Sequence, residues 1–245
     1  MKAINKRSII LTIITILCIA PALKAQEKAP SIETLSPEEQ SIVCVAAHTA
    51  SGNLKGLKKQ LNIGLDAGLT INQIKEVIVH TYEYCGFPRS IRALQTFMEV
   101  LDERKAKGID DVKGTEASVI KEEQSKYNRG KKILAELTKT AQPDTLTGYS
   151  AFAPIIDTFL KEHLFADIFE RNVLSYTQRE LTTIAVISAI GNAEPMLRSH
   201  LNICLNIGLS PGQLQQFVNL IKLNIGKKEA GAAQTVLTEL LENKK

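Results

Sequence analysis

Three titratable side chains recur at intervals of four residues in the first half of the chain. Glu76, His80 and Tyr84 lie at i, i+4 and i+8, a spacing that places them along one face of a helix. A carboxylate one turn from an imidazole raises its pKa and orients it, so Glu76 and His80 form a candidate acid–base pair. The alternative is a solvated polar face, because this stripe lies away from the isoleucine-rich side of the same helix.

The second half of the chain carries another set of such groups. Arg179 and Glu180 are adjacent, and His200 lies further along the chain. We expect Glu180 in the first turn of a helix, where the helix dipole favours a carboxylate regardless of function. His200 borders the apolar face formed by Leu197 and Leu201, so a half-buried structural histidine is the alternative to a catalytic one.

These two sets belong to two copies of one pattern. The first copy contains Leu35-Ser36, Gly52-Asn53, Gly68-Leu69 and Gly86, and the second contains Leu174-Ser175, Gly191-Asn192, Gly208-Leu209 and Gly226. The two copies are offset by 139 residues up to the Gly-Asn pairs and by 140 residues after them. The second copy therefore has one additional residue between its Gly-Asn pair and the Gly-Leu pair that follows. A repeat of this length indicates duplication of a whole helical domain.

Each copy lacks a different part of the titratable set. Where the second copy has Arg179, Glu180 and His200, the first has Gln40, Ser41 and Gln60. Where the first copy has Glu76, His80 and Tyr84, the second has Gln216, Leu220 and Asn224. Random decay would more often remove both parts from one copy. This complementary loss predicts one composite site built from both copies.

Helical signals occur throughout both copies, and no alternating run predicts a strand. Ser36-x-x-Glu39 and Ser175-x-x-Gln178 have the form of capping boxes at the first helix of each copy. Thr70 caps a later helix, and Pro88 begins the next one. On that next helix, the apolar spacing predicts an inward face of Ile91, Leu94, Phe97, Met98 and Leu101. The pattern predicts extra helices near 118–137 and 151–164, before the second copy begins. We therefore predict an all-α fold with a first unit at 26–107, a linker at 108–116 and a second unit at 117–245.

The first 25 residues have the order of a secretory signal peptide. Lys2, Lys6 and Arg7 precede an apolar run over 9–20, and cleavage is expected before Gln26. The alternative is an uncleaved anchor, although the apolar run is short for a membrane span. Without this segment the basic and acidic residues number 26 each, and no basic stripe remains to suggest nucleic-acid binding. The prediction is an exported protein, periplasmic or secreted, with no stable membrane span after cleavage.

Three cysteines follow the predicted signal peptide, and they form no CxxC pair. In an oxidising compartment Cys44 and Cys85 are candidates for a disulfide, which leaves Cys204 unpaired. The alternative is that all three act as small buried hydrophobic side chains.

Several segments resemble the carboxymuconolactone decarboxylase family, which includes the alkylhydroperoxidase D proteins. In the second half of the chain the matching segments are Tyr127-Asn128-Arg129-Gly130, Leu164 to Arg171, Arg179-Glu180-Leu181 and His200. In the first copy they are Gly68-Leu69-Thr70 and Tyr84-Cys85-Gly86-Phe87-Pro88. The resemblance implies two tandem alkylhydroperoxidase D-like helical bundles and a homo-oligomer, trimer-like. It also supports a site in which Glu180, His200 and His80 are catalytic and Glu76, Tyr84 and Arg179 bind the substrate.

Three classes of function follow from these features. The first is decarboxylase-like acid–base chemistry on a small carboxylated or lactone-like substrate, with neither a metal nor an organic cofactor. The second is peroxiredoxin-type activity, which the resemblance ties to a CxxC before the histidine; here Asn192 to Met196 contain no cysteine. The third is a non-catalytic helical oligomer that binds a small ligand.

Overall fold

The computed structural model describes residues 34–120 and 123–243, and the predicted signal peptide lies outside them. The described residues form helices and connecting segments, without a strand. The first copy contains four helices: α1 (Pro37–Ser51), α2 (Leu54–Asp66), α3 (Ile71–Cys85) and α4 (Phe87–Ala106). The predicted all-helical fold is confirmed for these residues.

The second copy repeats this order after an additional segment. That segment contains α5 (Lys126–Thr138), α6 (Gly148–Phe152), α7 (Pro154–Phe159) and a π-helix, π1 (Leu160–Phe169). The repeat then continues with α8 (Tyr176–Ile190), α9 (Glu194–Asn206), α10 (Pro211–Asn224) and α11 (Lys227–Glu242). In the order of the repeat, α8 to α11 correspond to α1 to α4.

Local signals in the sequence set the helix starts. Ser36 accepts a hydrogen bond from the Glu39 backbone while the Glu39 side chain accepts one from the Ser36 backbone, and Ser175 and Gln178 repeat this arrangement. Thr70 caps α3 in the same way with Gln73. Both predicted capping boxes are therefore confirmed.

The additional segment differs from the predicted helices. The helix predicted from residue 118 begins only at Lys126, because Ser125 caps it and Ser118 is held instead by the side chain of Asn172. The single helix predicted over 151–164 is broken at Ala153. Ala153 precedes Pro154, and the proline ring clashes sterically with a helical conformation of the residue before it. Beyond Pro154 the chain forms α7 and then π1.

Helices α1 and α8 pack along each other at the centre of the fold. Ser41 to Ala50 of α1 and Arg179 to Ser188 of α8 are buried on every side, as expected for helices that lie inside a core. The third helix of each copy also packs against the first helix of the other, α3 against α8 and α10 against α1. Residues of both copies thus form one hydrophobic core, within a single compact unit over 32–245.

The predicted linker packs against the start of α3. The backbone carbonyls of Val112 and Lys113 accept hydrogen bonds from the N–H groups of Ile71 and Asn72, both at 2.9 Å. The Asn72 side chain donates to the carbonyls of Gly114 and Thr115. The segment is therefore fixed to the helix that carries Glu76, His80 and Tyr84.

One predicted inward face was partly wrong. In α4 we expected Ile91, Leu94, Phe97, Met98 and Leu101 to face the core. Phe97 does, but Ile91 and Met98 are 50% and 64% exposed. The core instead receives the smaller side chains Ala93 and Thr96, because the buried stripe of α4 is rotated from the one that large residues suggest.

Candidate functional site

The stripe on α3 is buried between the two copies. Glu76 is 4% exposed and His80 is fully buried, because α3 packs against α8 of the second copy. The interpretation of this stripe as a solvated polar face is therefore wrong. Burial of a carboxylate and an imidazole is costly unless both have partners, so the contacts they make decide what the site can do.

Glu76 is held by two arginines of the second copy. Its Oε1 accepts from Arg179 Nη2 at 2.8 Å and from Arg171 Nε at 2.7 Å, and its Oε2 accepts from Arg171 Nη2 at 3.0 Å. Burial opposes the charge of Glu76, but the hydrogen bonds from both arginines outweigh it and lower the pKa of this carboxyl. Glu76 is thus an ionised anchor between the copies.

His80 is the next group in this network. Arg179 Nη1 lies 3.4 Å from His80 Nδ1, and Thr183 Oγ1 lies 2.9 Å from His80 Nε2. A guanidinium can only donate, so Nδ1 is assigned as the acceptor and Nε2 as the protonated nitrogen, which donates to Thr183. Complete burial, together with the positive charge of Arg179 and the nearby His200, lowers the pKa of His80 well below its usual value. His80 is therefore neutral.

Thr183 extends this chain to Tyr84. The Thr183 hydroxyl donates to the Tyr84 hydroxyl at 3.1 Å. Burial and the charge of Glu180 raise the pKa of Tyr84, so its phenol keeps its proton. The resulting order is Arg179, His80, Thr183 and Tyr84, each donating to the next.

His200 and Glu180 form the other side of the site. Glu180 Oε2 lies 2.8 Å from His200 Nδ1, and the Glu180 side chain is completely buried. The His200 side chain is 15% exposed, and its ring lies nearly perpendicular to the Tyr84 ring, with 6.2 Å between the centroids. This arrangement leaves Nε2 of His200, the nitrogen that Glu180 does not use, for a reactant.

The position of Glu180 within its helix differs from the prediction. α8 begins at Tyr176, so Glu180 lies in the second turn and not the first. The helix dipole is not the reason for this carboxylate, because its effect falls off within the first turn. Glu180 Oε1 is buried and has no hydrogen-bond partner among the described residues. A buried carboxylate oxygen without a partner is costly, so the position of Glu180 requires an explanation beyond packing.

All six predicted site residues thus lie in one connected region where the two copies meet. Sequence reasoning missed three others: Thr183, Arg171 and Phe169. Thr183 is one helical turn after Arg179, and that spacing was the available signal. Arg171 and Phe169 precede α8 in the segment that resembles the family, but nothing in their spacing linked them to α3.

The additional segment covers this site. Phe169 of π1 packs edge-on against His80, with 5.2 Å between centroids, and also contacts Tyr176. Helix α5 packs along π1 and completes a second apolar cluster, which Tyr84 and Tyr176 border; its buried members are Ile133, Leu137, Leu164, Phe165, Phe169 and Ile203. π-helical segments are frequent at functional sites.

Two segments of the chain match one known protein family. The model of the carboxymuconolactone decarboxylase family matches residues 23–98 and again residues 156–234. The chain belongs to the carboxymuconolactone decarboxylase family. Each matched segment covers most of one copy, with α8 and α9 in the later one. The family match therefore covers both sides of the composite site.

Two relatives are similar to parts of this chain. The chain is 25% identical to the 4-carboxymuconolactone decarboxylase of Acinetobacter baylyi over 122 residues, which are 49% of this chain and 90% of the relative. It is 31% identical to an uncharacterized protein of Methanocaldococcus jannaschii over 75 residues, which are 31% of this chain and 70% of the relative. Each relative corresponds to no more than about half of this family member.

The cysteines of this family member are placed unlike those of a thiol peroxidase. Cys44, Cys85 and Cys204 are all free, so the alternative of a Cys44–Cys85 disulfide is wrong. Burial raises the pKa of Cys44 to about 11, and burial together with the charge of Glu180 raises that of Cys204 well above its usual value. A peroxidatic cysteine needs the opposite, an exposed thiol with a lowered pKa.

Two further properties concern the described part of the chain. Within residues 34–120 and 123–243, no group of three or more His, Cys, Asp or Glu side chains has the arrangement of a metal site. No helix in the same residues has the length and apolar character to cross a bilayer.

Proposed function

We propose that this protein is a decarboxylase-like lyase that acts on a small carboxylated or lactone-like substrate, with His200 as the proton-transferring group. The observation that carries the proposal is the His200–Glu180 pair. Its buried carboxylate holds one imidazole nitrogen, and the other nitrogen is left beside Tyr84 at a partly exposed position.

The proton transfer can be written without an additional group. The bond between the substrate carbon and its carboxylate breaks, CO₂ leaves, and the electron pair remains on that carbon, stabilised by the conjugated carbonyl of the lactone. Protonated His200 then delivers a proton from Nε2 to the carbon and regains one from solvent. Glu180 stabilises the imidazolium through Nδ1, as a carboxylate does in other acid–base pairs.

The first copy contributes the positioning side of the site. His80 is fully buried and neutral, and it reaches the reacting region through Thr183 and Tyr84. We therefore assign His80, Glu76 and Arg179 to holding Tyr84 in place, and we assign contact with the substrate to Tyr84 and His200. Fixed donors of this kind stabilise developing charge without reorganising during the reaction.

The test is turnover of carboxylated lactones, beginning with 4-carboxymuconolactone, by the chain from Gln26 onward. CO₂ release and incorporation of deuterium from D₂O are measured together. We expect His200→Ala and Glu180→Gln to lower the rate by roughly 10²- to 10⁴-fold, the usual contribution of general acid–base catalysis. Ser199→Ala is the matched control, because Ser199 is exposed on the same helix and donates only to the Pro195 carbonyl. Unchanged turnover in His200→Ala would contradict the proposal.

Non-catalytic binding is the second candidate, and the cover over the site favours it. Phe169 rests on His80 and excludes a substrate from that side. This candidate predicts that carboxylated lactones bind and raise the melting temperature while no CO₂ is released.

We further propose that the protein acts as a homo-oligomer. Exposed apolar side chains on α6 and α7 support this, because large contiguous patches of this kind mark interfaces. They are Tyr149, Phe152, Ile155, Ile156 and Phe159, of which Phe152 is 92% exposed. Light scattering should give a multiple of the monomer mass, and Phe152→Ser should reduce that mass. A monomer at all concentrations would contradict this.

Export is also proposed, supported by the basic start and apolar run of residues 1–25. Cell fractionation and N-terminal sequencing test it, with Gln26 as the expected first residue. Full-length protein in the cytoplasm would contradict export.

A further inference from the structure

A cleft lies in the first copy, at positions that the repeat relates to those of the composite site. Its volume is about 330 Å³, and its lining includes Gln40, Ser41, Cys44, Gln60, Leu220 and Asn224. We call it the first-copy cleft. It forms where α10 of the second copy packs against α1 of the first, the same pairing that joins α3 to α8.

Each of these six lining residues is the repeat counterpart of a residue in the composite site. Gln40, Ser41 and Cys44 of α1 correspond to Arg179, Glu180 and Thr183 of α8. Gln60 corresponds to His200, and Leu220 and Asn224 correspond to His80 and Tyr84. The first-copy cleft and the composite site therefore have the same arrangement of helices, once without charged groups and once with them.

Amide side chains replace the titratable groups of the composite site. Gln60 Nε2 donates to Asn224 Oδ1 at 3.0 Å, and this bond joins the two copies. The corresponding residues of the composite site are His200 and Tyr84, whose rings are in contact. Gln40 Nε2 donates to the Leu35 carbonyl at 2.9 Å. Among the described residues, no donor reaches the amide oxygens of Gln40 and Gln60, so both can accept from a ligand.

The first-copy cleft is also open. Ile63 in its lining is 42% exposed, whereas its repeat counterpart Ile203 is 4% exposed beneath α5 and π1. The described residues of the first copy contain no helix before α1, so no described segment corresponds to α5 and π1 at this cleft. Within the described part of the chain, a small molecule can reach the cleft without any movement of a helix.

We propose that the first-copy cleft is a binding site for a small uncharged molecule with hydrogen-bonding groups, such as a neutral lactone. No lining side chain carries a charge, because burial raises the pKa of the Cys44 thiol to about 11 and the others are amides, a hydroxyl or apolar groups. A carboxylate placed there would lose water without gaining a cation, whereas a neutral carbonyl or hydroxyl loses little. The site therefore binds without proton transfer.

The experiment uses two probes that differ by one carboxylate, coumarin and coumarin-3-carboxylate. Binding to the chain from Gln26 onward is measured by saturation-transfer NMR at about 1 mM probe. Coumarin should bind, and coumarin-3-carboxylate should not bind at this cleft. Ala67→Phe places a ring in the cleft from its edge and should abolish the coumarin signal, whereas Leu223→Phe, on a side chain that is 81% exposed and outside the lining, should preserve it.

Two more variants separate this cleft from the composite site. Gln60→Lys adds a cation to the cleft and should create binding of coumarin-3-carboxylate, which Ala67→Phe in the same chain should remove again. His200→Ala should leave coumarin binding unchanged. If coumarin gives no signal, or if His200→Ala removes its signal while Ala67→Phe does not, the proposal is overturned. Because no turnover is measured, failure of the lyase activity would not affect the result.

Discussion

Thr183 joins the two copies at the level of single residues. Its hydroxyl accepts from His80 and donates to Tyr84, so one side chain of α8 sets the position of two side chains of α3. His80 is completely buried, so the loss of this hydroxyl leaves the His80 N–H without a partner and without water. An unsatisfied buried donor costs more than the hydrogen bond itself contributes.

Thr183→Val should therefore lower the free energy of unfolding by about 1–3 kcal/mol. Thr182→Val is a matched control, because Thr182 is equally buried but donates only to the Gln178 carbonyl of its own helix. It should cost about 1 kcal/mol or less. Urea denaturation of both variants measures the difference, and equal losses would show that Thr183 does not support His80.

The neutral state of His80 makes stability depend on pH. In the unfolded chain a histidine gains a proton below about pH 6.5, whereas the buried His80 does not, because its pKa is lowered well below that value. The unfolded state then binds more protons, so stability is fully present above pH 6.5 and falls as the pH drops below it, by up to about 1.4 kcal/mol per pH unit.

His80→Gln should remove this contribution, so that wild type and variant approach each other in stability from pH 7 to pH 5. Glu83, whose pKa burial raises to about 7, acts in the opposite direction over this range, and Glu76 acts at lower pH. Both remain in the variant, so comparison of the two proteins at each pH cancels them. A constant difference across the range would show that His80 titrates normally in the folded state.

At the level of elements, α5 and π1 form the cover of the composite site. Their packing depends on Gly130, because a Cβ at this position would lie 1.7 Å from the Lys161 carbonyl oxygen of π1. The movement of a side chain cannot relieve a clash with a backbone atom at that distance. Buried polar contacts add to the pairing, with Lys161 Nζ 2.7 Å from Asp157 Oδ2 and 2.8 Å from the Tyr127 hydroxyl.

Gly130→Ala should therefore separate α5 from π1 and increase hydrogen exchange over residues 126–138 and 160–169. The expected loss of stability is about 1–3 kcal/mol, typical of overpacking. Gly231→Ala in α11 is the control, because its added Cβ would meet nothing within 4 Å and should stabilise the helix by roughly 0.5–1 kcal/mol. If Gly130→Ala leaves exchange unchanged, the cover does not depend on this contact.

At the level of the whole molecule, the two copies are one folding unit. Both contribute to the same hydrophobic core, in which Ile42 of α1 and Ile184 of α8 are completely buried. Because the two copies share this core, we expect them to unfold in a single cooperative transition. The duplication is visible in the sequence, but its two copies form one compact unit.

Ile42→Val and Ile184→Val should each lower the free energy of unfolding by about 0.5–1.5 kcal/mol while the transition stays single. Each should raise hydrogen exchange in α2 and α9 together, although the substitution lies in only one copy. Two separate transitions, or exchange that rises in the substituted copy alone, would contradict a shared core.

The sequence by itself determined the repeat, the all-helical fold and six residues of the candidate site. Capping boxes at Ser36 and Ser175 are local signals, since their partners lie three residues away, and both were predicted correctly. Complementary loss between the copies pointed to one composite site, and the six predicted residues do lie together. These inferences succeeded because they required only spacing within a helix or alignment of one copy with the other.

Only the tertiary structure decided which helix faces meet. The sequence of α3 alone allows Glu76 to be either exposed or buried. It is buried because α3 packs on α8, and the charges of Arg171 and Arg179 balance its own. The same packing makes His80 neutral and connects it to Thr183. Contacts between residues about a hundred positions apart leave no periodic signal in the chain. That is why the cover that α5 and π1 form over the composite site could not be predicted.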